Sequence, residues 1–135
     1  MDDETGMTEN LDPTDRKIVD RLRHKFLAQA RQVLAGVAAD ISRPDGMLPF
    51  DHLEKISREI HNVRGMGGTF GFRAFSQIAA RFEDYLSACS RRHPPNSDEI
   101  VMFLAHMNTS IEHDHRLETP DLPEILASLP TRPPI

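Results

Sequence analysis

From Ile18 onward the apolar residues Ile18, Leu22, Phe26, Ala30, Val33, Val37 and Ile41 recur at steps of three and four. That is the period of one helical face, and its length suits a bundle helix. The start signals agree: Asp12 can cap, Pro13 suits the first helical position, and Asp15 favours the positive end of the helix. Ser42-Arg43-Pro44-Asp45-Gly46 reads as a turn. A second helix is expected from near Pro49 or Phe50, with Leu53, Ile56, Ile60 and Val63 on one face, and a third over roughly 72–91, with Phe75, Ile78, Ala79, Phe82, Leu86 and Cys89. His93-Pro94-Pro95-Asn96 breaks it, and Ser97 offers a cap for a fourth helix with Val101, Leu104, Met107 or Asn108, and Ile111, fading near Glu118. Neither strand-like alternation nor an internal repeat is present. The expected fold is all-α: an antiparallel four-helix bundle over 13–118. Residues 1–12 are expected as a disordered acidic tail. Residues 119–135 hold five of the ten prolines and are expected as an extended tail, with a turn of helix around Glu124–Leu129.

Composition narrows the function. A chain of 135 residues, 39% hydrophobic and 27% charged, suits one soluble domain with one core. No apolar run approaches the roughly 18 residues a bilayer span requires, and the acidic start Met1-Asp2-Asp3-Glu4 is unlike a secretory signal. With Cys89 as its single cysteine the chain forms no internal disulfide, which fits a reducing cytoplasm. A net charge of −5 disfavours non-specific binding of nucleic acid. Phosphate-loop, dinucleotide, zinc and nucleophile-elbow motifs are all missing, which disfavours a nucleotide-driven enzyme. His106, His113 and His115, with Asp114 and Glu118, read as a polar helix surface rather than a metal site, because His113 and His115 point in different directions. No metal is expected.

The second helix carries the chemistry. At about 100° per residue, Leu53, Ile56, Ile60, Val63 and Gly67 share one narrow face, and His61 lies roughly 125° from its middle. His61 is therefore expected to face solvent, beside Glu54, Ser57, Arg58, Arg64, Gly65 and Gly68. Four of the seven glycines (Gly65, Gly67, Gly68, Gly71) fall within seven residues. Each glycine inside a helix costs about 1 kcal/mol relative to Ala, so their presence needs a reason. Gly65 and Gly68 follow His61 on the same stripe and would bare the surface beside the imidazole. The helix is expected to run through Gly65 to about Phe70, with Gly71 opening the turn, because its apolar face anchors it against weak local propensity.

His61-Asn62-Val63-Arg64-Gly65, followed by Phe70-Gly71, resembles the core motif of histidine-phosphotransfer (HPt) domains. That pattern is His, any residue, an aliphatic, Lys or Arg, Gly, then a hydrophobic–Gly pair at plus nine and plus ten. Phe75, Phe82 and Glu83 are similar to the apolar and acidic positions that follow. The likeness covers about 50–90, and the helix layout extends it to roughly 14–118. Met66-Gly67-Gly68 stands where small polar residues are common, and Arg64 replaces the more usual Lys.

The resemblance implies a carrier that accepts a phosphoryl group from a receiver-domain aspartate and passes it to another receiver. His61 would be the neutral nucleophile, Arg64 would steady the phosphate, and Gly65, Gly68, Arg58 and Ser57 would form the docking stripe. Such a carrier needs no cofactor of its own and has no autokinase activity; the receiver supplies Mg²⁺. Its partners would be response-regulator receivers and a sensor or hybrid histidine kinase, with no nucleic acid or membrane, and it would act as a monomer and a free-standing module. One alternative is an HPt-like docking or scaffolding bundle whose histidine is not phosphorylated. A kinase dimerisation fragment fits less well, since Asn62 stands where those carry Glu or Asp.

Overall fold

The computed structural model describes residues 12–42, 52–112 and 121–132. Within them the chain forms five helices: α1 (Pro13–Ile41), α2 (Leu53–Thr69), α3 (Arg73–Ser87), α4 (Ser97–Glu112) and α5 (Leu122–Ser128). Each of the first three packs on the next and α4 packs back on α1, which closes a four-helix bundle; α5 lies against α3. Described residues include no strand.

Side chains cap the starts of α1 and α4. Asp12 caps α1, its carboxylate accepting the Asp15 amide at 2.8 Å, worth about 1 kcal/mol. The cap of α4 is Asn96 rather than the expected Ser97: Asn96 Oδ1 accepts the Glu99 amide at 3.1 Å, and Ser97 is the first helical residue. α3 ends at Ser87, short of the expected 91, and Ser90 N donates to His93 O (3.0 Å) as the chain turns toward Pro94-Pro95. The expected start of α2 at Pro49 or Phe50, the fading of α4 toward Glu118 and the acidic tail lie outside the described residues.

Two apolar assignments change. Val101 is 50% exposed and Ile100 and Phe103 take its place on the core face of α4, where Leu104, Met107 and Ile111 are buried as expected. Ile18 and Leu22 are 46% and 44% exposed, so the buried stripe of α1 begins at Arg23 and Phe26. Rings fill the two halves of the core. Phe26 meets Phe72 (5.0 Å between centroids) and Phe75 (5.5 Å), and Phe103 meets Phe82 (4.9 Å) and Tyr85 (5.3 Å). α5 covers the turn of helix expected around Glu124–Leu129 and starts two residues earlier, and Leu122 and Leu129 are buried in the same core, which an extended tail would not provide.

The end of α2 matters most for the site. Helical pairing runs unbroken through Gly65, Gly67 and Gly68 to Thr69, as expected from its apolar anchors. Then Gly71 takes φ 85, Phe72 N bonds Gly67 O at 2.8 Å and Gly71 N bonds Gly68 O at 3.4 Å. This is a Schellman cap, which needs a left-handed residue at that point. Phe72, fully buried, completes it with an apolar contact and launches α3 back along α2.

Candidate functional site

Ile60 and Val63 are fully buried, and their anchoring turns His61 outward: its side chain is 62% exposed. Across the groove between helices, Phe82 and Ile78 fix α3 in the core and present Glu83 to the imidazole. His61 Nδ1 lies 2.8 Å from Glu83 Oε1. A carboxylate only accepts, so Nδ1 carries the proton and donates it. The tautomer is thereby assigned: Nε2 keeps the lone pair.

Arg64 completes the arrangement from one turn further along α2. Its Nε lies 2.7 Å from Glu83 Oε2, a contact of charge rather than a directed hydrogen bond, since that N–H points off the line. Its Nη2 stands 3.2 Å from His61 Nδ1. Both nitrogens are donors in the assigned tautomer, so this second approach adds no hydrogen bond; the shorter, charged contact to Glu83 governs the ring. Ser76 on α3 donates to Arg64 O at 3.2 Å and ties the same turn to the neighbouring helix.

The glycines separate by role. A Cβ on Gly65 would meet nothing within 4 Å, so the surface beside His61 is bare there. On Gly68 it would touch only Ser76 Oγ at 3.5 Å, an ordinary contact. Gly67 differs: a Cβ would stand 3.0 Å from Phe75 and 3.2 Å from Phe26, so this glycine permits close packing under the site. Arg58 is exposed and Ser57 half-buried one turn before His61; the polar contacts of the imidazole are with Glu83 and Arg64 instead. On its other side His61 lines an open groove of about 700 Å³ between α1 and α2, with Leu22, Phe26, Met66 and Phe70.

Glu83 is the residue whose role sequence reasoning missed. It was legible only as an acidic position in the third helix. Its partnership with His61 spans 22 residues, and helical periodicity does not register helices against each other. Among the other histidines, His24, His52 and His93 are exposed and His106 is half-buried. His113, Asp114, His115 and Glu118 lie outside the described residues. Among the described residues no three His, Cys, Asp or Glu side chains gather as metal ligands would, and no described helix is long and apolar enough to cross a membrane.

A family model described as Hpt domain matches residues 21–114, which takes in most of α1 and all of α2, α3 and α4. No curated protein and no solved structure matches the chain. Hpt domains are phosphocarrier modules rather than catalytic enzymes, and they work with receiver domains and kinases in phosphorelays. With the matched span covering more than half of the chain and holding the exposed His61 and its motif, this protein belongs to the Hpt domain family.

Proposed function

We propose that His61 accepts a phosphoryl group from the aspartyl phosphate of one receiver domain and passes it to the aspartate of another. Nε2 attacks phosphorus in line, the N–P bond forms, and the acyl P–O bond breaks with its electron pair leaving on the aspartate. Nδ1 keeps its proton, so the ring becomes cationic and no outside base is required. The Glu83 carboxylate 2.8 Å from Nδ1 stabilises that developing charge. This contact is the single observation that carries the reading, because it fixes the tautomer that frees the exposed nitrogen.

Arg64 steadies the phosphoryl group from one turn away. Gly65 and Gly68 leave room for the partner, with Arg58 and Ser57 at the edge of the docking stripe. The carrier works without a cofactor, nucleotide or kinase activity of its own; Mg²⁺ belongs to the receiver, where it neutralises the transferring group. We place it in the cytoplasm as a monomer, phosphorylated through a sensor or hybrid kinase and its receivers.

Incubation with a phosphorylated receiver should label the wild type, and His61→Gln should take up no label while keeping the helical circular dichroism of the parent. Label persisting in the variant would assign the phosphoryl group to another residue. A wild type that receives no label from any receiver or small phosphodonor would leave a bundle that only docks.

A further inference from the structure

α2 and α3 are the most extensively packed pair of helices among the described residues, and two side chains of α3 hold Arg64 of α2 at two points. Glu83 takes its guanidinium, with Arg64 Nε 2.7 Å from Oε2, while Oε1 accepts from His61 Nδ1 at 2.8 Å. Ser76, two turns earlier on the same face of α3, donates its hydroxyl to the backbone carbonyl of Arg64 at 3.2 Å. A carbonyl oxygen has two lone pairs, so it can take this bond beside the one of its own helix. Gly68 keeps the approach open: it stands one turn beyond Arg64, and a Cβ there would lie 3.5 Å from Ser76 Oγ.

These two grips differ in kind from the core beneath them. Ile60 and Val63 of α2 and Phe75, Ile78 and Phe82 of α3 are buried and set which faces meet. Apolar burial is non-directional, so it leaves small slides of one helix along the other to be decided by directional contacts. The Glu83 contact tolerates no such slide. One residue of helix rises about 1.5 Å, and a shift of about that size carries a carboxylate out of hydrogen-bond distance of Nδ1. Reacting groups have to be held to within about 0.5 Å by the contacts that support them. A bond from α3 to the backbone of α2 fixes that coordinate, and Ser76 makes it with the shortest side chain that carries a donor. We propose that Ser76 is a positioning residue for phosphoryl transfer: by bonding Arg64 O it sets α3 along α2 so that Glu83 meets Nδ1, and thereby keeps the attacking Nε2 unprotonated. Its effect on transfer rests on the carrier reading above; its effect on the tautomer does not.

Ser76→Ala removes the hydroxyl at a half-buried helical position, gains helix propensity, and should keep a melting curve close to that of the parent. Two measurements then follow the imidazole. Nitrogen-15 NMR of the neutral His61 ring should show one tautomer in the parent, with the proton on Nδ1, and a mixture of both in Ser76→Ala. Phosphoramidate, a small donor that reaches His61 without docking, should label Ser76→Ala about three- to tenfold more slowly, the loss expected for one hydrogen bond. Ser76→Thr, which keeps the hydroxyl, should restore both. In a Glu83→Ala background the Ser76→Ala change should cost nothing further, because no carboxylate is left to position. A parental tautomer and labelling rate in Ser76→Ala overturn the proposal, and so does a Ser76→Thr variant that behaves like Ser76→Ala. A full additional loss in the Glu83→Ala background overturns it too, since Ser76 would then act through Arg64 rather than Glu83. If the parent takes no label from phosphoramidate or from any receiver, the carrier reading falls while the tautomer still decides for or against Ser76, so the two failures are distinguishable.

Discussion

Glu83 does for His61 what no residue of the same helix could do. Arg64, at plus three on α2, offers Nδ1 only another donor, whereas Glu83 brings an acceptor to Nδ1 from α3 and leaves Nε2 toward solvent. Because Glu83 is itself 19% exposed, its contact is partly desolvated, and a charge-assisted hydrogen bond of this kind is worth about 1.5–3 kcal/mol before screening. Glu83→Gln keeps an acceptor for the Nδ1 proton but removes the charge that balances the cationic ring. It should slow phosphorylation about tenfold. The loss should be the same with phosphoramidate as with a receiver, since the effect lies in the imidazole rather than in docking. Equal rates for parent and variant would show that Glu83 only orients a surface side chain. His61 could be picked from the sequence because an exposed histidine next to Arg64 and Gly65 sits in a local pattern. Glu83 could not be given its role, because the pairing depends on how α3 is registered against α2.

At the scale of one helix, α2 shows how the same residue type answers opposite needs. Gly65 faces open space, so Gly65→Ala adds helix propensity without a clash and should stabilise the fold by up to about 1 kcal/mol. Gly67 faces Phe75 and Phe26 at 3.0 and 3.2 Å. There the added methyl has to displace two packed rings, and Gly67→Ala should destabilise by about 1–2 kcal/mol despite the gain in propensity. Urea unfolding of the two variants reads the sign directly; a stabilised Gly67→Ala would mean that the rings yield freely. The apolar spacing of Leu53, Ile56, Ile60 and Val63 made the body of α2 legible, and Phe70-Gly71 made its end legible through the demand for a left-handed residue. The start of the core face of α4 was less legible. Ile100, Val101, Phe103 and Leu104 are all apolar, so the pattern admits two neighbouring faces, and contact with Phe82 and Tyr85 decides between them. The exposure of Ile18 and Leu22 was not legible either, because their period continues that of the core.

Across the whole molecule, the segment after the matched family span closes the end of the bundle where α3 turns into α4. Arg132 donates to His93 O (3.0 Å) and Pro94 O (2.7 Å), pairs with Glu99 (3.1 Å) and lies 5.1 Å over the Tyr85 ring. Tyr85 in turn donates to Glu99 (2.8 Å) and accepts the Asn96 amide (2.9 Å). A proline-rich tail gave no sign of this in sequence, because one arginine satisfying two turn carbonyls has no period. The node predicts a pH dependence. Burial of the phenol, reinforced by the Glu99 carboxylate against the opposing Asn96 hydrogen bond and Arg132 charge, pushes the Tyr85 pKa up from 10.0 to about 12. Above pH 10 the unfolded chain loses this proton while the folded chain still holds it, so the unfolded state binds fewer protons and stability falls as pH rises. The contribution is complete below pH 10 and is lost on the way to about 12. Tyr85→Phe removes the titration but leaves the Asn96 amide short of its acceptor, a cost of about 1–3 kcal/mol at neutral pH. Its melting temperature should therefore start below that of the parent at pH 8 and decline less steeply between pH 10 and 11.5. Arg132→Ala should lower the melting temperature by several degrees, while phosphoramidate labelling of His61 stays at the parental rate because the node does not touch the imidazole. Parallel pH slopes for parent and Tyr85→Phe would show that the phenol titrates alike in both states and that the node exerts no pull on its proton.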